Sequence, residues 1–459
     1  MSMLKNDLTT GPVRRHLIRM AVFMLVTMMV QTAYSLIDMY WVGRLGREAI
    51  AAVSIGSNLM ILVLALTQIL AVGTVSLVSQ AAGRKDSEAV GTLFNQALIA
   101  ALSLGGTFGA VMWLLRQLYC DAQAGDAQTA TLAMEFLRWF IPALVLQFPM
   151  MAMGSALRGL GDMRTVAAAQ GGTILLNILL APFLIFGWGT GIALGVAGAS
   201  LATLLAMIVG VLVMITHIHR KGIHFAVGAG AWRPRFKVWR RIATIGLPSG
   251  AEFGVMALYF GFVIAIIRPF GPAAQAAFGI GMRVLQVGML PAMSIAFAGS
   301  AIAGQNFGAK MPARVRENYR LSTITAVGLG IVLALLFQIA PRQLATPFSS
   351  DPAVLDYCAD FLRMISWNLI ALGFIFPCFS VFSAFGNTSP SLLGSAVRIG
   401  FIVIVTGWLS QRPDFRIHWI WVLSVIGTLF QMSINLWFLR RGFSRHLAPL
   451  ERTAEPFAA

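Results

Sequence analysis

Asp38 and Glu252 fall inside long apolar stretches, whereas most other acidic residues lie in loops or at the ends of such stretches. A carboxylate in hydrocarbon is costly unless it is protonated, paired or hydrated, so its presence points to an ion or substrate pathway. If the first apolar helix begins near residue 16, Asp38 lies ~33 Å along it, toward the far membrane interface. Met24, Met28, Gln31, Ser35 and Asp38 recur at spacings of three and four, placing them on one helix face, with Tyr34 a turn before the acid. A polar stripe ending on an acid suits a hydrated path; a simple interfacial carboxylate is the alternative. Glu252 lies ~17 Å into the seventh apolar stretch, near the bilayer midplane, where an incidental charge is harder to tolerate. Pro248 loosens the turn before it, and Met256 and Tyr259 continue its face. The alternative there is a neutral, hydrogen-bonded structural glutamic acid. Asp38 and Glu252 are therefore the candidate ion-coupling acids, and Met28, Gln31, Tyr34, Ser35, Met256 and Tyr259 the candidate substrate contacts. A flexible thioether can repack around ligands of different shape.

Other polar residues carry weaker signals. Asn177 is followed by Pro182, whose ring can free the carbonyl of Ile178 for an ion or water; a packing amide at a kink fits equally. Arg138 and Arg363 each follow an acid by three residues, which allows local ion pairs with Glu135 and Asp360. His217 and His219 fall at the end of the sixth stretch and read as interfacial. Cys120, Cys358 and Cys378 lack paired spacing, so no metal site or disulfide scaffold is expected, with a Cys120–Cys358 bridge left open. No HExxH, phosphate-binding loop or nucleotide fingerprint occurs, and no clustered nucleophile and base. Neither an enzyme nor a cofactor is expected.

The elements that must position these residues are membrane spans. With 58% hydrophobic and 11% charged residues in 459 and a mean hydropathy of +0.79, the chain has far more apolar surface than a water-soluble globule can bury. Breaking the apolar runs at charges and turn residues predicts spans near 17–40, 50–79, 90–117, 130–157, 164–187, 194–217, 242–267, 275–304, 318–340, 354–384, 391–410 and 417–439. The first is expected to be a retained helix, not a cleaved signal. The net charge of +17 is spread over short segments between spans, which argues against a nucleic-acid-binding domain. Most Lys and Arg gather on the side holding both tails, predicting cytoplasmic termini in a bacterial inner membrane. The expected organisation is a six-helix lobe over 1–220, a basic linker over 221–241, a second six-helix lobe over 242–440 and a cytoplasmic tail over 441–459.

A constant offset of 225 residues relates the two halves without a gap from position 46 to 162. Gly46, Ala49 and Ile55 fall on Gly271, Ala274 and Ile280; Gln80, Gly83 and Lys85 on Gln305, Gly308 and Lys310; Glu135-Phe-Leu-Arg138 on Asp360-Phe-Leu-Arg363. Rare polar residues agreeing at one offset indicate duplication. Six spans per repeat return the chain to its starting side, so the repeats run parallel about a central cleft. The acids break this symmetry, since Glu252 falls on Thr27 and Asp38 on Val263.

The segment Asp38-Met-Tyr-Trp-Val-Gly-Arg-Leu-Gly46 resembles the multidrug and toxic compound extrusion family. So do Leu157-Arg-Gly-Leu-Gly-Asp-Met-Arg-Thr165, its partner Phe385-Gly-Asn-Thr-Ser-Pro390, Leu176-Asn177, Gly246-Leu-Pro-Ser-Gly-Ala-Glu252 and Gly304-Gln-Asn-Phe-Gly-Ala309. The resemblance implies a twelve-helix antiporter exporting small organic cations or amphipathic drugs in exchange for protons or sodium. It casts Asp38 as the ion-binding acid of the first span, Asn177 as its partner in the fifth, Thr203 as a hydroxyl in the sixth and Glu252 as the acid of the seventh. Family members with a sodium site tend to carry Asn-x-x-x-Asp in the fifth span, where this chain has Asn177-Ile-Leu-Leu-Ala181. A hard cation prefers several oxygen ligands, whereas one titratable carboxylate suffices for a proton, so the departure favours protons. A monomer contacting membrane lipid is expected. A flippase for a lipid-linked sugar is the rival reading, kept open by Arg283 and Arg398 as possible pyrophosphate contacts.

Overall fold

The computed structural model describes residues 7–189, 191–220 and 232–454. Most of the expected basic linker, 221–231, and the end of the expected tail, 455–459, lie outside them. Twelve helices are long and apolar enough to cross a membrane, and the described residues contain no strand. They are α1 (Val13–Gly43), α2 (Arg47–Gly83), α3 (Ser87–Gln123), α4 (Ala127–Gly159), α5 (Met163–Phe186), α6 (Gly195–Arg220) and α7 (Phe236–Ile267), then α8 (Pro272–Gly308), α9 (Pro312–Ile339), α11 (Pro352–Phe385), α12 (Ser389–Leu409) and α13 (His418–His446). The short helices α10 (Pro341–Ala345) and α14 (Ala448–Ala454) complete the set. Several helices overrun the predicted spans, because helical hydrogen bonding continues through polar end residues that hydropathy excludes. Thus α7 begins at Phe236, and the chain past 441 is helical through most of its described length.

The helices group into two compact units, one formed by Val26–Gly246 and the other by Leu8–Leu25 with Leu247–Ala459. The start of α1 therefore belongs to the second unit and the start of α7 to the first. In the second unit the backbone of Leu8 is pinned from both sides. Its N–H donates to Gln305 Oε1 at 3.1 Å, and its carbonyl accepts from Asn306 Nδ2 and an Arg314 guanidinium nitrogen, each at 3.2 Å. In the first unit the beginning of α7 presses on α2. A Cβ at Gly246 would lie 1.8 Å from the Ile69 carbonyl oxygen, and one at Gly73 2.2 Å from that of Ile242. Glycine is required where helix backbones approach this closely.

Each unit has its own core. In the first, α4 packs on α2, α3 and α6 around Met150, Met153, Leu157 and Met214; in the second, α11 packs on α8, α9 and α13 around Phe278, Phe361 and Trp421. The duplication holds at the level of individual turns. Helices α2, α3 and α4 start at Arg47, Ser87 and Ala127, while α8, α9 and α11 start 225 residues later at Pro272, Pro312 and Pro352. Gly56 faces the Phe136 ring and Gly281 faces Phe361, the same pair one repeat on. Asp126 and Asp351 each cap the following helix, accepting at 2.8 Å from Thr129 N and Ala353 N. Lys85 and Lys310 end α2 and α8 in the left-handed region, at φ 57° and 58°. The amide after each lysine closes the turn on a carbonyl five residues back, at Ala81 and Asn306.

Candidate functional site

In the first unit, α1, α5 and α6 bring together a connected set of polar side chains. Asn177 is almost fully buried on α5, and its Nδ2 donates to Thr203 Oγ1 of α6 at 2.9 Å. Thr203 in turn donates to the Ala199 carbonyl at 3.1 Å. The Tyr34 side chain of α1 lies close to Thr203 and within Coulombic reach of Asp38. Tyr34 thus stands between the acid and the hydrogen-bonded pair of Thr203 and Asn177. Asp38 is half-buried and has no hydrogen bond or ion pair among the described residues. Asn177 Oδ1 is buried without a partner, so the cluster holds an unengaged acceptor besides the carboxylate. Ala181, at the position of the second family carboxylate, is buried and adds no oxygen ligand. An aromatic group closes this end of α1: Trp41 packs edge-on against Phe186 and Trp188, with ring centroids 6.0 and 5.8 Å away. Such rings suit a membrane interface, in keeping with the depth expected of Asp38.

The rest of the α1 stripe does not form one uniform face. Met24 is buried, Met28 half-buried, and Gln31 and Ser35 are exposed, the Ser35 hydroxyl donating to the Gln31 carbonyl at 3.2 Å. Tyr34, one residue off the counted spacing, is the side chain that reaches α6.

In the second unit, Glu252 of α7 is held by α12. Ser395 Oγ donates to Glu252 Oε1 at 2.5 Å and accepts from Gln431 Nε2 of α13 at 2.9 Å. The Arg398 guanidinium, one helical turn beyond Ser395, is in Coulombic range of Glu252 and of Tyr259 but makes no ion pair. Its carbon lies 6.0 Å from the Tyr259 ring centroid. Tyr259 also neighbours Ser424, which accepts from Asn368 Nδ2 of α11 at 3.3 Å. Met256 is half-buried on the Glu252 face of α7. The sequence marked Glu252 and Tyr259, and named Arg398 only as a pyrophosphate contact of the flippase reading, but missed Ser395, Ser424 and Gln431. Single polar residues in apolar helices resemble packing groups until the helix crossings are known; the charge on Arg398 was the one available signal.

Several expectations are corrected. Among the described residues Arg138 and Arg363 form no local ion pairs: the Arg138 guanidinium lies over the Trp139 ring at 5.5 Å, and in the second repeat Arg342 pairs with Asp356 and Arg316 with Glu451. The α10 turn, absent from the first repeat, brings Arg342 to α11. All three cysteines are buried free thiols, which excludes the Cys120–Cys358 bridge. His217, partly exposed in the last turn of α6, has its Nε2 2.7 Å from Thr165 Oγ1, which donates to Asp162. Arg283 is exposed on α8. Among the described residues no three His, Cys, Asp or Glu gather as a metal site.

A duplicated bundle of twelve spans, with carboxylates and buried amides inside its helices, defines a multi-pass inner-membrane transporter rather than an enzyme. The MatE family profile matches residues 24–183 and 248–409, and the chain belongs to that family. It is 25% identical to the probable multidrug resistance protein YpnP of Bacillus subtilis, over 88% of this chain and 91% of that one. It is 24% identical to the FAD transporter of Shewanella oneidensis, over 89% and 91%. The fold matches an outward-facing multidrug resistance MATE family transporter at a TM-score of 0.87, with 24% identity over 96% and 98% of the two chains.

Proposed function

We propose that this chain is a secondary active efflux antiporter, exporting small amphipathic or cationic organic molecules in exchange for protons by alternating access. Both termini lie on the cytoplasmic side, as the Lys and Arg distribution requires, and the chain works as a monomer. The observation that supports the reading best is Asp38, a carboxylate inside a span with no hydrogen bond or ion pair among the described residues, beside Tyr34, Thr203 and Asn177. A structural carboxylate would be satisfied by neighbours; one left open is available to a proton or a cation. Protonation removes the charge that attracts a cationic substrate, so proton and substrate compete. Competition gives exchange when only the proton-loaded or substrate-loaded protein reverses its orientation.

In this reading Asn177 and Thr203 position Tyr34 and the acid. Met28, Gln31, Tyr34 and Ser35 on α1, with Met256 and Tyr259 on α7, contact substrate, and Glu252 is the second ion-responsive acid. The apolar Ala181 favours protons over sodium, since it leaves a hard cation short of anionic oxygen. A lipid-linked-sugar flippase calls for clustered cations to hold pyrophosphate, whereas mid-span Arg398 is balanced by Glu252. Everted vesicles carrying the chain test the proposal. Substrate accumulation should follow an imposed pH gradient without sodium; accumulation that needs a sodium gradient, or none at all, overturns it.

A further inference from the structure

We propose that residues 232–241, leading into and opening α7, form a binding surface for the headgroups of anionic phospholipids. The surface lies within the first unit and is independent of which ion or substrate is transported. On the orientation proposed above it meets the cytoplasmic leaflet.

The run Trp232-Arg-Pro-Arg-Phe-Lys-Val-Trp-Arg-Arg241 holds five cations and no acid. Arg233, Arg235, Lys237, Arg240 and Arg241 are all exposed, and among the described residues none of them forms an ion pair. Two aromatic side chains stand out beside them, Trp232 at 45% and Phe236 at 72% exposure. Depth gives both features one explanation. With 32 residues, α7 runs ~48 Å against ~30 Å of hydrocarbon. Its unbroken apolar sequence begins only at Ile242, which leaves the turns before it at headgroup level. There aromatic rings rest at the edge of the acyl chains and cations attract lipid phosphates.

The surface is held in a fixed shape. Gln96 of α3 is fully buried, and its side-chain amide clamps the backbone on both sides of Pro234. Its Nε2 donates to the Arg233 carbonyl at 2.9 Å, and its Oε1 accepts from the Arg235 amide at 2.7 Å. The same Oε1 accepts from Trp239 Nε1 at 3.1 Å, and the Phe236 ring stands edge-on to that of Trp239, centroids 5.3 Å apart. A turn ordered in advance presents its cations without the entropy cost of ordering a free segment on binding.

Docking the chain does not itself require this composition. At the offset of 225, Arg233 falls on Leu8, whose backbone is pinned in the same manner by Gln305, Asn306 and Arg314. Asp7-Leu-Thr-Thr-Gly-Pro12 stands there in place of Trp232-Arg-Pro-Arg-Phe-Lys237, with an acid and neither ring nor cation. The rings and charges of 232–237 therefore serve something beyond the fold, and an anionic lipid answers to both: its phosphate to the cations and its acyl edge to the rings.

The test uses the full-length protein in an uncharged detergent, titrated with phosphatidylglycerol or phosphatidylcholine of identical acyl chains, with bound lipid counted by native mass spectrometry. The wild type is expected to bind phosphatidylglycerol about fivefold more tightly or better, a preference that weakens with added salt. Replacing all five cations of the segment by glutamine should abolish the preference. Gln96→Ala keeps every cation and should still lower it at least about twofold, because the turn is released. Arg14→Gln with Arg15→Gln, which removes two exposed charges at the start of α1, should cost less than Arg240→Gln with Arg241→Gln. Equal binding of the two lipids by the wild type overturns the inference whether or not any variant folds. An unchanged preference in the glutamine variant overturns it, as do equal losses from the two arginine pairs. Loss with the cations but none with Gln96→Ala reduces the surface to net charge and overturns the assigned site. Binding of a short single-stranded DNA, with no preference between the lipids, overturns it in favour of another polyanion.

Discussion

Replacing Thr203 with valine keeps the shape of the side chain and removes the oxygen that joins α5 to α6. In the native structure that oxygen accepts the Asn177 amide at 2.9 Å, and Tyr34 lies close by. A hydrogen bond between membrane helices contributes about 0.6 kcal/mol on average and up to about 1.7 kcal/mol. Stranding a buried donor costs about 1–3 kcal/mol. Asn177 already has its Oδ1 unpartnered and is 3% exposed, so water cannot readily replace Thr203. Thr203→Val should therefore destabilise the protein by about 1–3 kcal/mol. The specific test is a double-mutant cycle with Asn177→Ala, read by reversible unfolding in mixed micelles. With the amide gone, the valine should cost no more than about 0.5 kcal/mol, leaving a coupling near 1 kcal/mol. Costs that add to within about 0.5 kcal/mol would refute the connection between α5 and α6.

Other consequences can be measured independently. Gly56→Ala or Gly281→Ala would place a Cβ 2.4 or 2.3 Å from a Phe136 or Phe361 ring carbon; each should lower stability by about 1–3 kcal/mol in thermal unfolding, similarly in the two repeats. Lys85→Gly and Lys310→Gly relieve a left-handed backbone that glycine adopts freely, and each should raise the thermal midpoint by the equivalent of about 0.5–1 kcal/mol. Asp126, outside the spans, is held below the ordinary carboxylate range by the Thr129 amide and hydroxyl. Its contribution is full above the ordinary aspartate range and lost as pH falls through the lowered value. Asp126→Ala should accordingly lower the thermal midpoint at neutral pH, with the deficit shrinking only in strong acid.

The duplication could be read closely from the sequence because its carriers are local. A residue such as Gly46 or Lys85 fixes a turn through its own backbone, so equivalent turns leave equivalent letters 225 positions apart. The acids were legible for a different reason: a charge in an apolar stretch is conspicuous whatever surrounds it. Their partners were not. Ser395 meets Glu252 only because α12 lies beside α7 at that level, and Gln431 of α13 in turn meets Ser395, which no spacing within one helix records. The α1 stripe illustrates the limit of periodicity. Spacing by three and four grouped Ser35 and Gln31 with Asp38, yet both are exposed, while Tyr34 on the neighbouring position reaches Thr203. A wheel gives relative angles about a helix, and the direction in which its neighbours lie comes from the packing.

The most direct test of Asp38 as the coupling carboxylate is to count protons on substrate binding. Purified protein in weakly buffered detergent solution, at a pH where Asp38 is partly protonated, would be mixed with a permanently charged lipophilic cation, tetraphenylphosphonium, which has no proton of its own to lose. Competition at Asp38 predicts that the wild type releases protons on binding and that Asp38→Asn binds more weakly and loses that release. Undiminished release from Asp38→Asn, with the cation still bound, would contradict the account.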